Sequence, residues 1–103
     1  MQAVTIAEIV SIHDKLIEKF GGSLGVREPG LLAAIAEKPF AGFGGQDLYP
    51  AIHDKAAAIF EALCNYHVFV DGNKRTAITV LEYFLEKNGL KLKADQRQKE
   101  DFT

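Results

Sequence analysis

Apolar side chains recur at spacings of three and four residues along most of the chain. This is the period of an α-helix with one buried face, so the sequence predicts an all-α fold. The first predicted helix begins with the capping-box pair Thr5 and Glu8 and stops at Gly21. A short second helix has Pro29 in its first turn and ends at Pro39.

The helical pattern breaks between residues 40 and 49, where three glycines stand among aromatic and polar residues. Such a composition predicts a loop or a small β-hairpin flap. Two interpretations of its aromatic residues are open. Phe40 and Phe43 either hold the segment against the core or belong to a flap that grips a substrate.

Two further helices are predicted after this segment. The third opens at Pro50, keeps its apolar residues on one stripe and delivers His67 at its end. The fourth runs from Asn73 to Asn88, where Asn88 and Gly89 form a C-terminal stop. Its apolar residues cover more than half of its circumference, as expected for the central helix of a small bundle.

Composition restricts the class of protein. The chain has 103 residues, of which 48% are apolar and 25% charged, as is typical of one small soluble domain. With a formal net charge of −2, the chain lacks the excess of basic residues that drives nucleic-acid binding. No apolar run approaches the ~20 residues of a membrane span, and the first residues lack the features of a secretion signal. We expect a cytoplasmic protein, with its single cysteine, Cys64, in the core.

The start of the fourth helix carries residues suited to phosphate. A helix N-terminus presents unpaired backbone N–H groups and partial positive charge. Gly72 lets an anion approach the backbone closely, and Asn73 can cap the helix or donate to a phosphate. Lys74 and Arg75 supply cations that neutralise a polyphosphate. The sequence therefore predicts a phosphate-binding turn.

Three residues just before this turn add further chemistry. Asp71 is a candidate ligand for Mg²⁺, which takes one or two protein carboxylates. A neutral His67 can accept a proton from an alcohol as a general base. Phe69 is the predicted apolar anchor that holds the loop in shape. Together these groups supply the positioning, charge neutralisation, metal and base of phosphoryl transfer.

Each of these residues also has a purely structural interpretation. His67 could be a satisfied group at a helix end, and Lys74 and Arg75 could be solvated helix charges. Asp71 with Gly72 could form only a turn. Their order within one ten-residue segment favours the functional interpretation.

Two adjacent histidine–aspartate pairs, His13–Asp14 and His53–Asp54, suggest a metal-dependent phosphohydrolase at first sight. Neighbouring residues on a helix point about 100° apart, and the sequence offers no further ligands at metal-binding spacing. We therefore expect both pairs to face solvent or to cap the local backbone.

The run HVFVDGNKRT, residues 67–76, resembles the signature of the Fic family. That signature reads His, any residue, Phe, any residue, Asp or Glu, Gly or Ala, Asn, Gly or Lys, Arg. Every fixed position is filled. The stretches FGGQDLYP and DKAAAIFEALCNYH, and HDK in the first helix, resemble the death-on-curing (Doc) branch. The similarity spans roughly residues 5 to 92.

The resemblance implies a compact Fic-fold helical bundle formed by residues 1–103 as a single domain. By similarity, His67 is the catalytic base and Asp71 the Mg²⁺ ligand. The phosphate and nucleotide site would consist of Gly72, Asn73, Lys74 and Arg75.

Lys74 separates two branches of the family. Members that transfer AMP usually carry glycine there, whereas Doc-like toxins carry lysine and act as kinases. Ile78 stands where AMP-transferring members have a second arginine, which also fits the Doc branch. The resemblance thus implies transfer of the γ-phosphate of ATP to a Ser or Thr hydroxyl, with translation elongation factor Tu as the family's example. The alternatives are a Fic-type AMP transferase and a non-catalytic Fic-fold binding module.

The resemblance further implies a toxin–antitoxin system. The sequence has no inhibitory helix with its Ser or Thr and paired Glu, so a separate, Phd-like antitoxin is expected. Doc-like chains usually continue through further C-terminal helices, whereas this sequence ends with a charged tail over residues 93–103 after an alternating piece at Leu90 and Leu92. We expect a domain that is short at its C-terminus and is either incomplete in its core or closed by another chain.

Overall fold

Four α-helices and one two-stranded hairpin make up residues 1–90, the part of the chain that this computed structural model describes. The helices are α1 (Ile6–Phe20), α2 (Pro29–Glu37), α3 (Ile52–Asn65) and α4 (Asn73–Lys87). A 3₁₀ turn (Lys38–Phe40) follows α2, and the antiparallel hairpin pairs β1 (Gly42–Phe43) with β2 (Gln46–Asp47). The predicted all-α class with a small hairpin is confirmed. The alternating piece beyond Leu90 and the charged tail lie outside the described residues.

The start and end of α1 follow from local sequence. The Thr5 hydroxyl accepts a hydrogen bond from the Glu8 N–H at 3.1 Å, and the Glu8 carboxylate accepts one from the Thr5 N–H at 2.9 Å. This reciprocal pair is the predicted capping box. Gly21 ends the helix with φ 87°, a left-handed value that glycine adopts without a steric penalty. Both predicted boundaries of α1 are confirmed.

Helix α4 is the central helix of the bundle, as predicted. It packs mainly against α3 and also against α1. Its buried residues span more than half of its circumference: Thr76, Ala77, Ile78, Val80, Phe84 and Leu85. At its end, the Asn88 side-chain amide donates to the Phe84 carbonyl at 2.8 Å, which satisfies one of the free carbonyls of the last turn.

A small polar network joins the start of α1 to the end of α4. The Glu8 carboxylate accepts hydrogen bonds from the Lys87 ammonium at 2.7 Å and from the Tyr83 hydroxyl. Burial alone would raise the pKa of Glu8, but the hydrogen bonds from Lys87, Tyr83 and Thr5 outweigh it and lower the pKa from 4.5 to about 2. This network fixes how α1 lies against α4.

The hairpin is held by a buried lysine. Lys55 of α3 is 4% exposed, and its ammonium donates to the Pro39 carbonyl at 2.8 Å and to the Asp47 carboxylate at 3.3 Å. Phe43 is 93% exposed and Phe40 44% exposed. The interpretation that both aromatic residues hold this segment against the core is therefore wrong for Phe43.

None of the helices in residues 1–90 is long and apolar enough to cross a membrane. Cys64 is half-buried on α3, where it packs against the core, and burial raises the pKa of its thiol.

Candidate active site

A cleft of about 570 Å³ lies between the end of α1 and the start of α4. Cavities of this size are typical of small-molecule sites. The end of α1 contributes Leu16, Ile17, Phe20 and Gly21, and the other side consists of His67, Val70, Asp71, Gly72, Asn73, Lys74 and Arg75. The structure thus brings the predicted base, metal ligand and phosphate-site residues to one cleft.

His67 lies at the rim of this cleft with its side chain exposed. It lies two residues after the end of α3 and has φ 50°, a left-handed conformation that is uncommon outside glycine. Conformations of this kind cost about 1–3 kcal/mol and persist where the surrounding structure imposes them. The next two residues impose it here, because Val68 is fully buried and Phe69 is 1% exposed.

The backbone around Phe69 is held from two sides. The Asn73 side chain accepts from the Phe69 N–H and donates to the Phe69 carbonyl, both at 2.9 Å. On the other side, the Val68 carbonyl accepts from the N–H groups of Arg27 and Glu28 at 2.6 and 3.1 Å. We call residues 67–72 the signature loop. The side chain of Asn73 is occupied by its two hydrogen bonds to this loop. The backbone N–H of Asn73 is therefore the group of this residue that is available to a ligand.

Asp71 carries the carboxylate of the cleft. One carboxylate oxygen accepts from the Gly72 N–H at 2.8 Å and the other from the Ser23 N–H at 3.2 Å. A carboxylate has about four lone-pair positions, so capacity for a metal ligand bond remains. Among residues 1–90, no group of three or more His, Cys, Asp or Glu residues could hold a metal. A divalent ion at Asp71 would therefore take its other ligands from phosphate and water, which is how Mg²⁺ binds with nucleotides.

The start of α4 has the features of a helix N-terminus that can accept an anion. Gly72 precedes the helix with φ 75°, and no side chain of the described residues caps it. The first backbone N–H groups of α4 therefore stay available to a ligand, and the helix dipole adds partial positive charge. Lys74 is exposed in the cleft, and the guanidinium of Arg75 lies 4.4 Å from the centre of the Phe20 ring.

His13 is the residue whose placement the sequence interpretation missed. It is fully buried, and its ring stacks on Phe69 with 3.8 Å between ring centroids and 6° between ring planes. The expectation that it faces solvent is therefore wrong, although Asp14 and His53 are exposed as expected. The available signal was helical spacing, because Ile9, His13 and Ile17 lie four residues apart on the buried face of α1.

A helical bundle whose central helix follows an HxFxDGNKR loop defines the class of Fic-fold proteins. The model of the Fic/DOC family matches residues 3–85. The chain belongs to the Fic/Doc family.

Two relatives show how far this likeness extends. The chain is 50% identical over 76 residues to the protein named Toxin Doc of Mycolicibacterium smegmatis, which covers 74% of this chain and 58% of that protein. It is 29% identical over 92 residues to the protein named Protein kinase doc of Escherichia phage P1, covering 89% of this chain and 72% of that protein. The chain thus spans a little over half of the first relative and nearly three quarters of the second.

Proposed function

We propose that this chain is a Doc-like toxin that transfers the γ-phosphate of ATP to a Ser or Thr hydroxyl of a target protein. The observation that carries the proposal is the position of His67, exposed at the rim of a cleft onto which the N-terminus of α4 opens. A base beside an anion-binding helix start is the arrangement that phosphoryl transfer to an alcohol requires. The names of the two relatives, a toxin and a protein kinase, support the same activity.

The residues of the cleft divide the reaction between them. The backbone N–H groups at the start of α4, with Lys74 and Arg75, bind and neutralise the triphosphate. Asp71 is the residue that would hold Mg²⁺, and the ion would supply further charge neutralisation. His67 takes the proton of the acceptor hydroxyl while the oxygen of that hydroxyl bonds to the γ-phosphorus. The bond from the γ-phosphorus to the bridging oxygen then breaks, and ADP is the leaving group.

Residue 74 is the reason to favour phosphate over AMP as the transferred group. A glycine at this position would offer only backbone, whereas Lys74 fills space in the cleft and adds a cation. A nucleotide cannot occupy both versions of the cleft in the same way. AMP transfer is therefore the competing outcome of the test below.

ATP labelled on either the γ- or the α-phosphate tests the proposal. Incubated with this chain and a bacterial lysate, the γ-label should enter protein and the α-label should not. His67→Ala should lower the rate of label transfer by about 10²- to 10⁴-fold, the usual contribution of a general base. His53→Ala is the matched control, because His53 is exposed on α3 and does not line the cleft.

Three results would contradict this proposal. Transfer of the α-label alone would show an AMP transferase, and transfer of neither label would show a binding module without this activity. Equal rates for H67A and H53A would remove the assigned base.

Mass spectrometry of the labelled proteins identifies the acceptor, with elongation factor Tu as the first candidate from the family resemblance. We propose that a separate antitoxin restrains the activity in the cell, because one relative is named as a toxin.

A further inference from the structure

His13 makes three contacts with residues of the signature loop or its own helix. Its ring stacks on Phe69, its Nε2 lies 2.8 Å from the Asp71 carbonyl oxygen and its Nδ1 lies 3.0 Å from an Asp14 carboxylate oxygen. A carbonyl oxygen only accepts, so Nε2 carries the hydrogen in the bond to Asp71. His13 is fully buried and does not line the cleft, so it cannot touch a nucleotide there.

The bond to the Asp71 carbonyl sets the direction of the next N–H. The peptide between Asp71 and Gly72 is trans, and in a trans peptide the C=O and N–H point in opposite directions. When His13 holds the carbonyl on the inner side, the Gly72 N–H points to the outer side. There it donates to the Asp71 carboxylate at 2.8 Å.

The same histidine also supports Gly72 from below. A Cβ added at Gly72 would lie 3.8 Å from the His13 ring and 3.1 Å from the Ile17 Cδ1 atom. The turn into α4 therefore packs against His13 and Ile17. A shift of the His13 ring would change the plane of the Asp71–Gly72 peptide and the direction of the Asp71 carboxylate together.

We infer that His13 is a positioning residue, which orients the Asp71–Gly72 peptide and thereby, through the Gly72 N–H, the carboxylate that the proposed phosphate transfer uses. The inference rests on the proposed function for its role in catalysis. The geometry of the signature loop can be measured whether or not the protein transfers phosphate. Stacking on Phe69 supplies packing, and the Nε2–H donor supplies orientation.

Two substitutions separate orientation from packing. His13→Gln keeps an N–H donor at about the position of Nε2 but loses the ring. His13→Phe keeps a ring to stack on Phe69 but has no donor. Phenylalanine is apolar and suits a buried site, so H13F should unfold at a temperature equal to or above that of H13Q. If His13 only packs, activity follows this order of stability.

The positioning role predicts the opposite order for activity. H13F should lower the kcat of γ-phosphate transfer by about a hundredfold, the cost of misplacing a reacting group by roughly 1 Å. H13Q should stay within about threefold of wild type. His53→Gln, at an exposed histidine outside the cleft, is the control and should leave kcat unchanged.

The three-bond coupling between the amide and Hα protons of Gly72 gives a readout independent of catalysis, because it depends on the backbone angle φ and not on whether a ring lies nearby. In the nucleotide-free protein this coupling should change in H13F and keep its wild-type value in H13Q. If wild type transfers no phosphate, the proposed function fails while this coupling still tests His13. A wild-type kcat in H13F, a hundredfold loss in folded H13Q, an unchanged Gly72 coupling in H13F, or failure of both variants to fold would each overturn the inference.

Discussion

At the scale of single residues, Gly22 shows how closely the end of α1 approaches the cleft. Its φ is 121°, and a Cβ added to it would lie 2.7 Å from an Asp71 carboxylate oxygen. That distance is too short for any real contact, so a side chain at this position forces Asp71 to move. The Ser23 N–H donates to the same oxygen at 3.2 Å. Gly22 and the Ser23 N–H together therefore fix the position of the Asp71 carboxylate.

Gly22→Ala should therefore reduce phosphate transfer beyond its effect on stability. We expect a loss of about tenfold or more in the transfer rate, because the carboxylate leaves its position relative to the phosphates. Gly89→Ala is the control, since Gly89 also has a positive φ, 80°, but no atom of the described residues within 4 Å of its added Cβ. Thermal unfolding of both variants measures their stability separately. Equal transfer rates for the two folded variants would contradict the close approach of Gly22 to the Asp71 carboxylate.

That the signature residues lie around one turn could be predicted from sequence, because they are contiguous. His13 could not be assigned in this way. Its contact with the Asp71 carbonyl joins residues 58 positions apart, and the contact of Ser23 with Asp71 joins residues 48 apart. Such contacts follow from how α1 packs against α4, which no local pattern specifies.

At the scale of elements, helix boundaries were predictable because caps and glycine stops act locally. The capping box of Thr5 and Glu8 and the stop at Gly21 appear where the sequence places them. The support of the hairpin was not predictable. Lys55 is buried because its ammonium meets the Pro39 carbonyl and the Asp47 carboxylate, and these contacts exist only after α3 and the hairpin pack together.

The link between α1 and α4 should be sensitive to acid through Glu8. Its folded-state pKa of about 2 lies below the ordinary value of 4.5, so the ionised carboxylate stabilises the fold above pH 4.5. This contribution is lost as the pH falls from 4.5 to about 2. Glu8→Gln should therefore unfold more easily than wild type at pH 7, and the difference should shrink over that acid range.

Urea unfolding of wild type and E8Q at a series of pH values measures this effect. Glu18→Gln is a suitable control, because Glu18 is an exposed glutamate on the same helix. A difference between wild type and E8Q that stays constant down to pH 2 would contradict the network as described.

At the scale of the whole molecule, the core depends on α4. Phe84 of α4 is fully buried, and the core cluster that contains it draws residues from all four helices. The all-α class was predictable because helical periodicity runs through nearly the whole chain. The cleft was not, because it forms only where the end of α1 and the start of α4 meet in the packed bundle.

Phe84→Ala should destabilise the fold by about 3–5 kcal/mol, the usual cost of truncating a buried phenylalanine. Small domains have total stabilities of about 5–15 kcal/mol, so this variant should be at or near the limit of folding. Phe43→Ala is the matched control, because Phe43 is 93% exposed and should change the free energy of unfolding by less than about 0.5 kcal/mol. Equal unfolding midpoints for the two variants would contradict the central position of α4.

The central claim is that the start of α4 binds the phosphates of a nucleotide beside His67. Titration of ATP and Mg²⁺ into ¹⁵N-labelled protein, followed by amide spectra, tests it most directly. We expect saturable shifts of the Gly72, Lys74 and Arg75 amide resonances, with that of His53 unmoved. Saturable binding that leaves the start of α4 unmoved, or no binding at millimolar ATP, would contradict it.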